Sequence, residues 1–327
     1  AEVALMAAES ERQHHCVYSP GQRERVDRDW GLEADLGHAI ENAEVDLLFQ
    51  PKVELASGRP VSVEALIRWN HPTRGVVGPA EFVRIAEETG LMVPIGEWVL
   101  RKACEAAASW TDLPDIRVAV NVSGRQLQQP EFSDRVALIL DETGFPGSRL
   151  ELELTESVAA ADGSLAALGR LRKLGIRVAI DDFGTGYSSL KLLKRLEADV
   201  LKIDRSFVHD AAESKAASVI VEGMLQMARG LGMEVIAEGV ETLEEMDQML
   251  ALGCQYMQGY LFSKPIPRDR FQQEAVADTA PWRMPVQRPE SWSPPSVDEM
   301  RAEESRAGDT PPMARELTDD DLPALRD

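Results

Sequence analysis

Acidic and amide side chains recur at the ends of short apolar runs in the middle of this 327-residue sequence. A carboxylate inside an apolar strand is unfavourable unless a cation or a hydrogen-bond donor compensates its charge. Several carboxylates gathered in one place repel one another, and protons or metal ions must relieve that repulsion. The residues that follow this pattern are, in chain order, Glu64, Asn121, Glu153, Asp181, Asp182, Glu238 and Gln258.

This oxygen-only set predicts a site for hard cations such as Mg²⁺ or Mn²⁺, which prefer carboxylate and amide oxygens. None of the five histidines (His14, His15, His38, His71 and His209) sits in a cluster that would favour zinc. The adjacent acids Asp181 and Asp182 are candidates to bridge two ions. Two such ions activate a water molecule and stabilise charge on the attacking and leaving oxygens in phosphoester hydrolysis. For any single acid, a solvated strand end or a helix cap is an alternative interpretation.

Eight apolar runs, most of them separated by helix-like stretches, must position these side chains. The predicted strands are Leu47–Leu55, Val61–Trp69, Ile116–Val122, Leu150–Leu154, Val178–Ile180, Val200–Ile203, Val235–Ala237 and Tyr256–Phe262. The predicted helices are Ala80–Thr89, Ile95–Trp110, Glu131–Thr143, Leu165–Leu174, Ser189–Leu196, Ala216–Leu231 and Leu243–Leu252. Several of these helices are followed by glycine, which is a typical helix stop signal.

The alternation of strands and helices predicts an α/β fold, a TIM-like (β/α)8 barrel. The first two strands are joined only by Ala56-Ser57-Gly58-Arg59, which is too short for a parallel crossover, so the first strand should be antiparallel. In such a barrel the carboxyl ends of the parallel strands meet at one face, where active sites of this fold are built. An open, doubly wound sheet is the alternative architecture.

The composition limits the kinds of partner. A formal charge of −21 argues against a polynucleotide-binding surface, which needs a basic stripe. A small phosphate ligand is compatible with that charge if metal ions supply positive charge locally. No apolar run reaches the roughly 18 to 20 residues that cross a membrane. Cys16, Cys104 and Cys254 have no paired spacing, which favours a reducing cytoplasm; a membrane tether in a longer parent protein stays open.

The sequence divides into three expected segments: a leader at residues 1–29, the barrel at 30–272 and a tail at 273–327. The tail holds eight of the chain's 19 prolines and the acidic run Asp319-Asp320-Asp321. Such a segment buries too little apolar surface to offset its ordering entropy, so we expect it to be largely disordered. Packing of Trp282 or Trp292 onto the domain or a partner is the alternative.

The motifs together resemble the EAL-domain family. The run Glu64-Ala65-Leu66-Ile67-Arg68-Trp69 resembles the signature that gives this family its name. The other matching segments, in family order and spacing, are Gln50-Pro51-Lys52, Asn121-Val122-Ser123, Glu153-Leu154-Thr155-Glu156, Asp181-Asp182-Phe183-Gly184-Thr185-Gly186-Tyr187-Ser188-Ser189-Leu190, Lys202-Ile203-Asp204, Glu238-Gly239-Val240-Glu241 and Gln258-Gly259-Tyr260. The resemblance covers about Trp30 to Arg270.

This resemblance implies a phosphodiesterase that hydrolyses cyclic di-GMP to linear pGpG and uses two Mg²⁺ or Mn²⁺ ions. It implies that the first ion is held by Glu64, Asn121, Glu153 and Asp181. It implies that the second is held by Asp181, Asp182 and Glu238.

The resemblance also implies roles around the reacting phosphate. Lys202 would orient or polarise the attacking water, Glu238 is the other candidate to help deprotonate it, and Gln258 would position it. The implied substrate contacts are Gln50, Leu66, Arg68 and Asp204. Simpler alternatives are a buried ion pair for Lys202, a rim salt bridge for Arg68 and satisfaction of backbone groups by Gln50.

Two further features rest on the same resemblance. Glu156 and Glu241 would steady the loop Phe183–Leu190, which in the family couples the metal site to a dimer interface, so a homodimer is expected. The first residues, Ala1-Glu2-Val3-Ala4-Leu5-Met6-Ala7-Ala8-Glu9 followed by Val17-Tyr18, resemble the end of a GGDEF domain, although Ala8-Glu9 replaces the usual Ala-Lys pair. An ordinary amphipathic leader helix is the alternative.

Two other functions compete with the hydrolase. A receptor of the same fold would bind cyclic di-GMP without cutting it, but such proteins typically lose metal ligands and none is lost here. An aldolase would use Lys202 to form a Schiff base. That chemistry needs a lowered lysine pKa, and surrounding carboxylates act in the opposite direction.

Overall fold

The computed structural model describes residues 31–161, 163–185, 190–277, 280 and 282. The expected leader at 1–29, positions 186–189 of the expected loop and most of the expected tail at 273–327 lie outside the described residues.

Ten strands form one sheet within these ranges. They are β1 (Val45–Glu54), β2 (Arg59–His71), β3 (Gly75–Val77), β4 (Arg117–Asn121), β5 (Leu150–Thr155), β6 (Arg177–Phe183), β7 (Val200–Ile203), β8 (Glu234–Ala237), β9 (Tyr256–Met257) and β10 (Ile266–Pro267). Eight of them close into a barrel in the order β1-β2-β4-β5-β6-β7-β8-β9, because β1 pairs with both β2 and β9. The closed ring excludes the open-sheet alternative.

Strand β1 is antiparallel to both of its barrel neighbours, whereas the other seven barrel strands are parallel to one another. The expected antiparallel first strand is therefore confirmed. The β1–β2 hairpin has a fixed register in which Gln50 faces Glu64 and Lys52 faces Ser62, with an irregularity immediately after Lys52. Outside the ring, β3 pairs with β2 and β10 pairs with β1.

The described part of helix α1 covers residues 31–39. The remaining helices are α2 (Pro79–Thr89), α3 (Met92–Ser109), α4 (Gly124–Leu127), α5 (Phe132–Thr143), α6 (Glu156–Ala160), α7 (Ser164–Arg172), α8 (Leu190–Leu196), α9 (Arg205–Glu213), α10 (Lys215–Gly230), α11 (Leu243–Ala251) and α12 (Arg268–Val276). Local sequence fixes several ends: Pro79 begins α2, and Gly90 ends it in the left-handed region at φ 84°.

Strand β5 illustrates how the sequence builds the barrel wall. Leu150, Leu152 and Leu154 are completely buried in the hydrophobic core. Side chains alternate between the two faces of a strand, so Glu151 and Glu153 project to the opposite face, toward the barrel axis. The interior of this barrel is consequently partly ionic, and the apolar core lies between the strands and the surrounding helices.

The last barrel strand is shorter than the sequence suggested. A strand was expected from Tyr256 to Phe262, but β9 ends at Met257, so that prediction was wrong. The backbone instead crosses Val240, whose N–H donates to the Gln258 carbonyl oxygen at 3.1 Å. A Cβ at position 259 would collide with the Val240 backbone, so Gly259 permits this crossing.

Ordered structure is also present beyond residue 272, where the barrel domain was expected to end. Helix α12 continues to Val276, and Trp282 is buried at 1% exposure. The Trp282 ring centroid lies 6.1 Å from that of Phe271, which in turn lies 5.0 Å from Trp110 on the outside of the barrel.

Candidate metal centre

A buried lysine lies at the centre of the acidic cluster at the carboxyl ends of the strands. The Nζ atom of Lys202, on β7, is 2.7 Å from Glu153 Oε2 and 2.7 Å from Glu238 Oε1. It also lies 3.0 Å from Asp181 Oδ1 and 3.8 Å from Glu64 Oε2. Side chains from β2, β5, β6 and the residue after β8 therefore surround one ammonium group, as the reading of strand ends predicted.

Two amide side chains hold the Glu64 carboxylate from either side. Asn121 Nδ2 donates to Glu64 Oε1 at 2.6 Å, and Gln258 Nε2 donates to Glu64 Oε2 at 2.6 Å. Gln258 Nε2 also lies 3.1 Å from Gln50 Oε1. The buried Oε1 atom of Gln258 has no hydrogen-bond partner within the described residues, so an acceptor remains open beside the acids.

A second group of acids lies at the end of β6 and after β8. One ligand atom from each of Asp181, Asp182 and Glu238 lies within 4.8 Å of the other two. Asp182 has a positive φ of 51°, which is uncommon for a residue other than glycine. The adjacent acids Asp181 and Asp182 thereby both contribute to this group, although their side chains would diverge in a regular strand.

Burial, with a smaller contribution from neighbouring acids, raises the pKa of three carboxyls in the cluster, those of Glu64, Asp182 and Glu238. Burial is the largest cause of the raised pKa of Glu64, and the neighbouring Glu153 adds to it. Burial likewise raises the pKa of Glu238 well above its usual value. For Lys202, burial lowers the pKa but Glu153 and Glu238 outweigh it, so the pKa lies well above the usual value and the ammonium stays charged.

Glu153 behaves differently because two ammonium groups contact it. Burial disfavours its charged form, but Lys202 and Lys52 more than compensate and lower its pKa to about 2. The cluster thus contains one firmly ionised carboxylate beside others that lack a full counter-charge. An oxygen-rich site with surplus negative charge suits a hard divalent cation, so the residues present fit Mg²⁺ or Mn²⁺.

Lys52 and Glu151 extend the ionic network below the predicted site, although neither residue was predicted to have a role there. Lys52 Nζ donates to Glu151 Oε1 at 2.7 Å and also contacts Glu153 Oε1. Glu151 Oε2 lies 3.7 Å from Arg177 Nε. A signal was present in the sequence, since Lys52 lies two residues after Gln50 and Glu151 two before Glu153. In a strand, residues two apart share a face.

A cavity of about 350 Å³ opens above the acids. Its lining includes the predicted residues Gln50, Glu64, Leu66, Asp182, Asp204, Glu238, Glu241 and Gln258. Arg205, Gly239, Gly259 and Tyr260 also line it and were not assigned a role from sequence. Asp204 additionally caps helix α9, because its Oδ1 accepts a hydrogen bond from the Ser206 N–H at 3.0 Å.

Four further predicted residues belong to the cluster but are not among the residues around this cavity: Asn121, Glu153, Asp181 and Lys202. Two predicted residues lie apart from both the cluster and this lining. Arg68 Nη1 donates to the Ile67 carbonyl oxygen at 2.8 Å, and Arg68 is not among the residues around the cavity in the described part of the chain. Glu156 is buried at the start of α6, and neither of its carboxylate oxygens has a partner among residues 31–161, 163–185 and 190–277. The loop it was expected to steady includes positions 186–189, outside those ranges.

The sequence of this chain matches the EAL domain family over residues 33–265. The chain therefore belongs to the EAL family, as the motif resemblance indicated. Among the described residues, no helix is long and apolar enough to cross a membrane.

Several relatives of this chain carry names that state an activity. The bifunctional diguanylate cyclase/cyclic di-GMP phosphodiesterase MucR of Pseudomonas aeruginosa is 39% identical over 275 residues, which cover 83% of this chain and 40% of MucR. The cyclic di-GMP phosphodiesterase PdeR of Escherichia coli is 37% identical over 276 residues, covering 83% of this chain and 42% of PdeR. This chain thus spans less than half the length of either relative, and the activity of the whole protein is a matter for proposal.

Solved structures of the same fold agree with the barrel assignment. The PaMucR phosphodiesterase in its c-di-GMP complex is 42% identical with a TM-score of 0.71, over 74% of this chain and 99% of that one. The EAL enzyme Bd1971 in its cAMP- and cyclic-di-GMP-bound form is 32% identical with a TM-score of 0.73, over 78% of this chain and 72% of that one.

Proposed function

We propose that this chain hydrolyses cyclic di-GMP to linear pGpG and so ends a second-messenger signal. The observation that carries the proposal is the complete set of acids and amides around Lys202 at the mouth of an EAL barrel. Relatives named as cyclic di-GMP phosphodiesterases and a related structure in complex with c-di-GMP support the same substrate.

We assign the ligands of two Mg²⁺ or Mn²⁺ ions to the two groups of acids. Glu64, Asn121, Glu153 and Asp181 would hold the first ion, and Asp181, Asp182 and Glu238 the second. When bound, such ions lower the pKa of water and stabilise charge on the attacking and leaving oxygens of the phosphodiester. The amide groups of Asn121 and Gln258 donate to the two oxygens of Glu64 and so orient this carboxylate.

Lys202 contributes a permanent positive charge and hydrogen-bond donors at the reacting centre. Its position between Glu153 and Glu238 allows it to orient an attacking water toward the phosphate. Glu238, which contacts Lys202 at 2.7 Å, would accept a proton from that water. The free acceptor Oε1 of Gln258 would receive a hydrogen bond from the same water.

The substrate would occupy the cavity above these groups. Gln50, Leu66 and Asp204 line it and would contact cyclic di-GMP, while a role for Arg68 requires its guanidinium to turn toward a substrate phosphate. The chain's formal charge of −21 makes metal ions important for attracting a dianionic ligand.

Product analysis distinguishes a hydrolase from a receptor. We expect purified protein with Mn²⁺ to convert cyclic di-GMP to pGpG, as measured by liquid chromatography, and to stop when the metal is chelated. Tight binding of cyclic di-GMP without pGpG release in saturating Mn²⁺ would support the receptor alternative instead. A Lys202→Met variant that still turns over normally would remove Lys202 from the mechanism.

The protein's assembly and location extend this proposal. We place a homodimer interface near the loop 183–190, with Glu156 and Glu241 as its supports, and an upstream GGDEF domain in a longer parent protein. Cys104 and Cys254 are buried free thiols, which supports a reducing compartment such as the cytoplasm. Sedimentation of the wild type and of a Glu156→Gln variant tests the loop coupling: a variant that is inactive yet dimerises like the parent contradicts it.

A further inference from the structure

Lys52 lies below the metal centre, inside the barrel, where it does not line the substrate cavity in the described part of the chain. Its side chain is completely buried. The ammonium contacts Oε1 of Glu151 at 2.7 Å and Oε1 of Glu153. Lys52 therefore acts on the candidate metal ligand Glu153 through a direct ionic hydrogen bond.

Glu153 is held at both oxygens by ammonium groups from different strands. Its Oε1 atom accepts from Lys52 on β1, and its Oε2 atom accepts from Lys202 on β7 at 2.7 Å. The two contacts fix the rotation of the carboxylate about its last bond. As a result Oε1 is turned down the barrel axis, and Oε2 faces the side where Asp181 and Glu238 also contact Lys202.

Glu151 presents a competing explanation for Lys52. A buried carboxylate needs a counter-charge, and Lys52 supplies one to Glu151 whether or not Glu153 requires positioning. The two roles differ in what happens when Glu151 and Lys52 are removed together. If Lys52 is only the counter-ion of Glu151, then removing both residues together leaves Glu153 unaffected. If Lys52 positions Glu153, then removing both residues leaves Glu153 free to rotate.

We infer that Lys52 is a positioning residue for the metal centre, which holds Glu153 so that a single oxygen faces a divalent ion. This inference rests on the proposed function only in taking Glu153 as a ligand. Hydrogen-bond partners that orient metal ligands typically contribute 10–100-fold to metal affinity or activity. Lys52 meets the description of such a partner, because it contacts Glu153 on the side away from the cavity.

The test compares Lys52→Met/Glu151→Leu with Glu151→Leu alone. The double variant removes one positive and one negative charge, and replacing a buried ion pair by apolar residues of similar volume is often neutral for stability. The single variant keeps Lys52 on Glu153. Lys52→Met/Glu151→Gln, compared with Glu151→Gln, provides a second matched pair if the first double variant does not fold.

The main measurement is Mn²⁺ binding without substrate, by electron paramagnetic resonance of free Mn²⁺. We expect the dissociation constant to rise about 10–100-fold in the double variant over its single control. In saturating Mn²⁺, kcat should fall while KM for cyclic di-GMP stays near the control. A double variant that binds Mn²⁺ as tightly as its control overturns the inference and leaves Lys52 as the counter-ion of Glu151.

The proposed function can be refuted independently of the inference about Lys52. If the parent chain binds Mn²⁺ but releases no pGpG, hydrolysis is wrong while the Mn²⁺ comparison still judges Lys52. If the parent chain binds no Mn²⁺ at all, the role of Lys52 at a metal centre is overturned as well.

Discussion

The Nζ atom of Lys202 lies 2.7 Å from the Oε1 atom of Glu238, at the carboxyl ends of neighbouring strands. The Glu238 N–H also donates to the Ile203 carbonyl oxygen at 3.0 Å, so the backbone fixes the two residues relative to each other. The pair joins an ammonium group to a carboxyl, and the pKa of each lies well above its usual value. Their closeness makes Lys202 and Glu238 the pair on which the proposed chemistry most directly depends.

Replacement of Lys202 by methionine should abolish most turnover. Methionine keeps much of the side-chain length but removes the charge and the donors that contact Glu153 and Glu238. We expect kcat for cyclic di-GMP to fall by about 10²–10⁴-fold in Mn²⁺. Steady-state kinetics measure this, and circular dichroism checks the fold, because an unpaired buried acid is destabilising. A fall confined to KM would instead assign Lys202 to substrate binding.

The Glu64→Gln substitution should eliminate activity by removing a charged ligand. It also places an amide donor among the donors of Asn121 and Gln258, which now point at Glu64. We expect kcat/KM to fall more than about 100-fold, since a ligand itself should matter at least as much as its partners. The matched control is Glu87→Gln, an exposed acid on α2, which should retain parental kinetics. Normal activity in Glu64→Gln would refute the ligand assignment.

The pKa of Glu238 predicts how stability depends on pH without metal. Burial raises this pKa above its ordinary value of 4.5. A carboxyl with a raised folded-state pKa stabilises the protein fully below the ordinary value and loses that contribution as pH rises through the raised value. The free energy of unfolding of the parent, relative to Glu238→Gln, should therefore decrease as pH rises above 4.5.

Urea unfolding in chelator, for both proteins across this pH range, measures that difference. Glu153 affects stability in the opposite direction, because its pKa is lowered to about 2. Its contribution to the free energy of unfolding is present above pH 4.5 and is lost as the pH falls from 4.5 toward 2. A parent-to-variant difference that does not change with pH would show that Glu238 titrates normally.

Divalent ions should stabilise the folded domain by mass action. A ligand that binds only the folded state adds about 2.7 kcal/mol at a concentration 100 times its dissociation constant. Thermal unfolding with increasing Mn²⁺ should show a rising Tm in the parent and a much smaller rise in Asp181→Asn, since Asp181 is a candidate ligand of both ions. Equal shifts in the two proteins would indicate that Mn²⁺ binds elsewhere.

Trp282 tests where the domain ends. Its ring is 1% exposed and packs near Phe271, although the sequence assigned it to an expected disordered tail. Truncation of a buried tryptophan to alanine usually lowers the free energy of unfolding by about 3–5 kcal/mol, and we expect a decrease of that size in Trp282→Ala. Urea unfolding measures the loss, with Trp292→Ala as the comparison. No loss in Trp282→Ala would support a boundary near residue 272.

The sequence could predict the acids of the site because strand ends are visible in the pattern of apolar runs. It could predict the antiparallel first strand because the connection after it is too short for a crossover. The eighth strand was predicted to be longer than it is, because its apolar residues continue to Phe262. The backbone already turns at Gly259 to pass beside Val240. Such a crossing depends on a residue in another segment, which no local pattern contains.

The contacts of Lys52 could not be predicted from the sequence, for a different reason. The pattern places Lys52 on the same face as Gln50, but not opposite any particular acid. Only the closure of the barrel brings β1 within reach of Glu151 and Glu153, about a hundred positions later in the chain. Arg68 Nη1 donates to the carbonyl oxygen of Ile67, the preceding residue of the same motif, a local contact that the motif pattern did not indicate.

The antiparallel direction of β1 has a consequence for evolution and engineering of this site. Gln50 and Lys52 reach the interior from a strand whose register is set by the hairpin turn at the opposite end of the barrel. Side chains alternate between the two faces of a strand with a period of two. A single-residue insertion within β1 would therefore turn the interior side chains before or after the insertion toward the outside of the barrel. A length change far from the substrate can thus remove two interior groups at once, without touching any acid of the cluster.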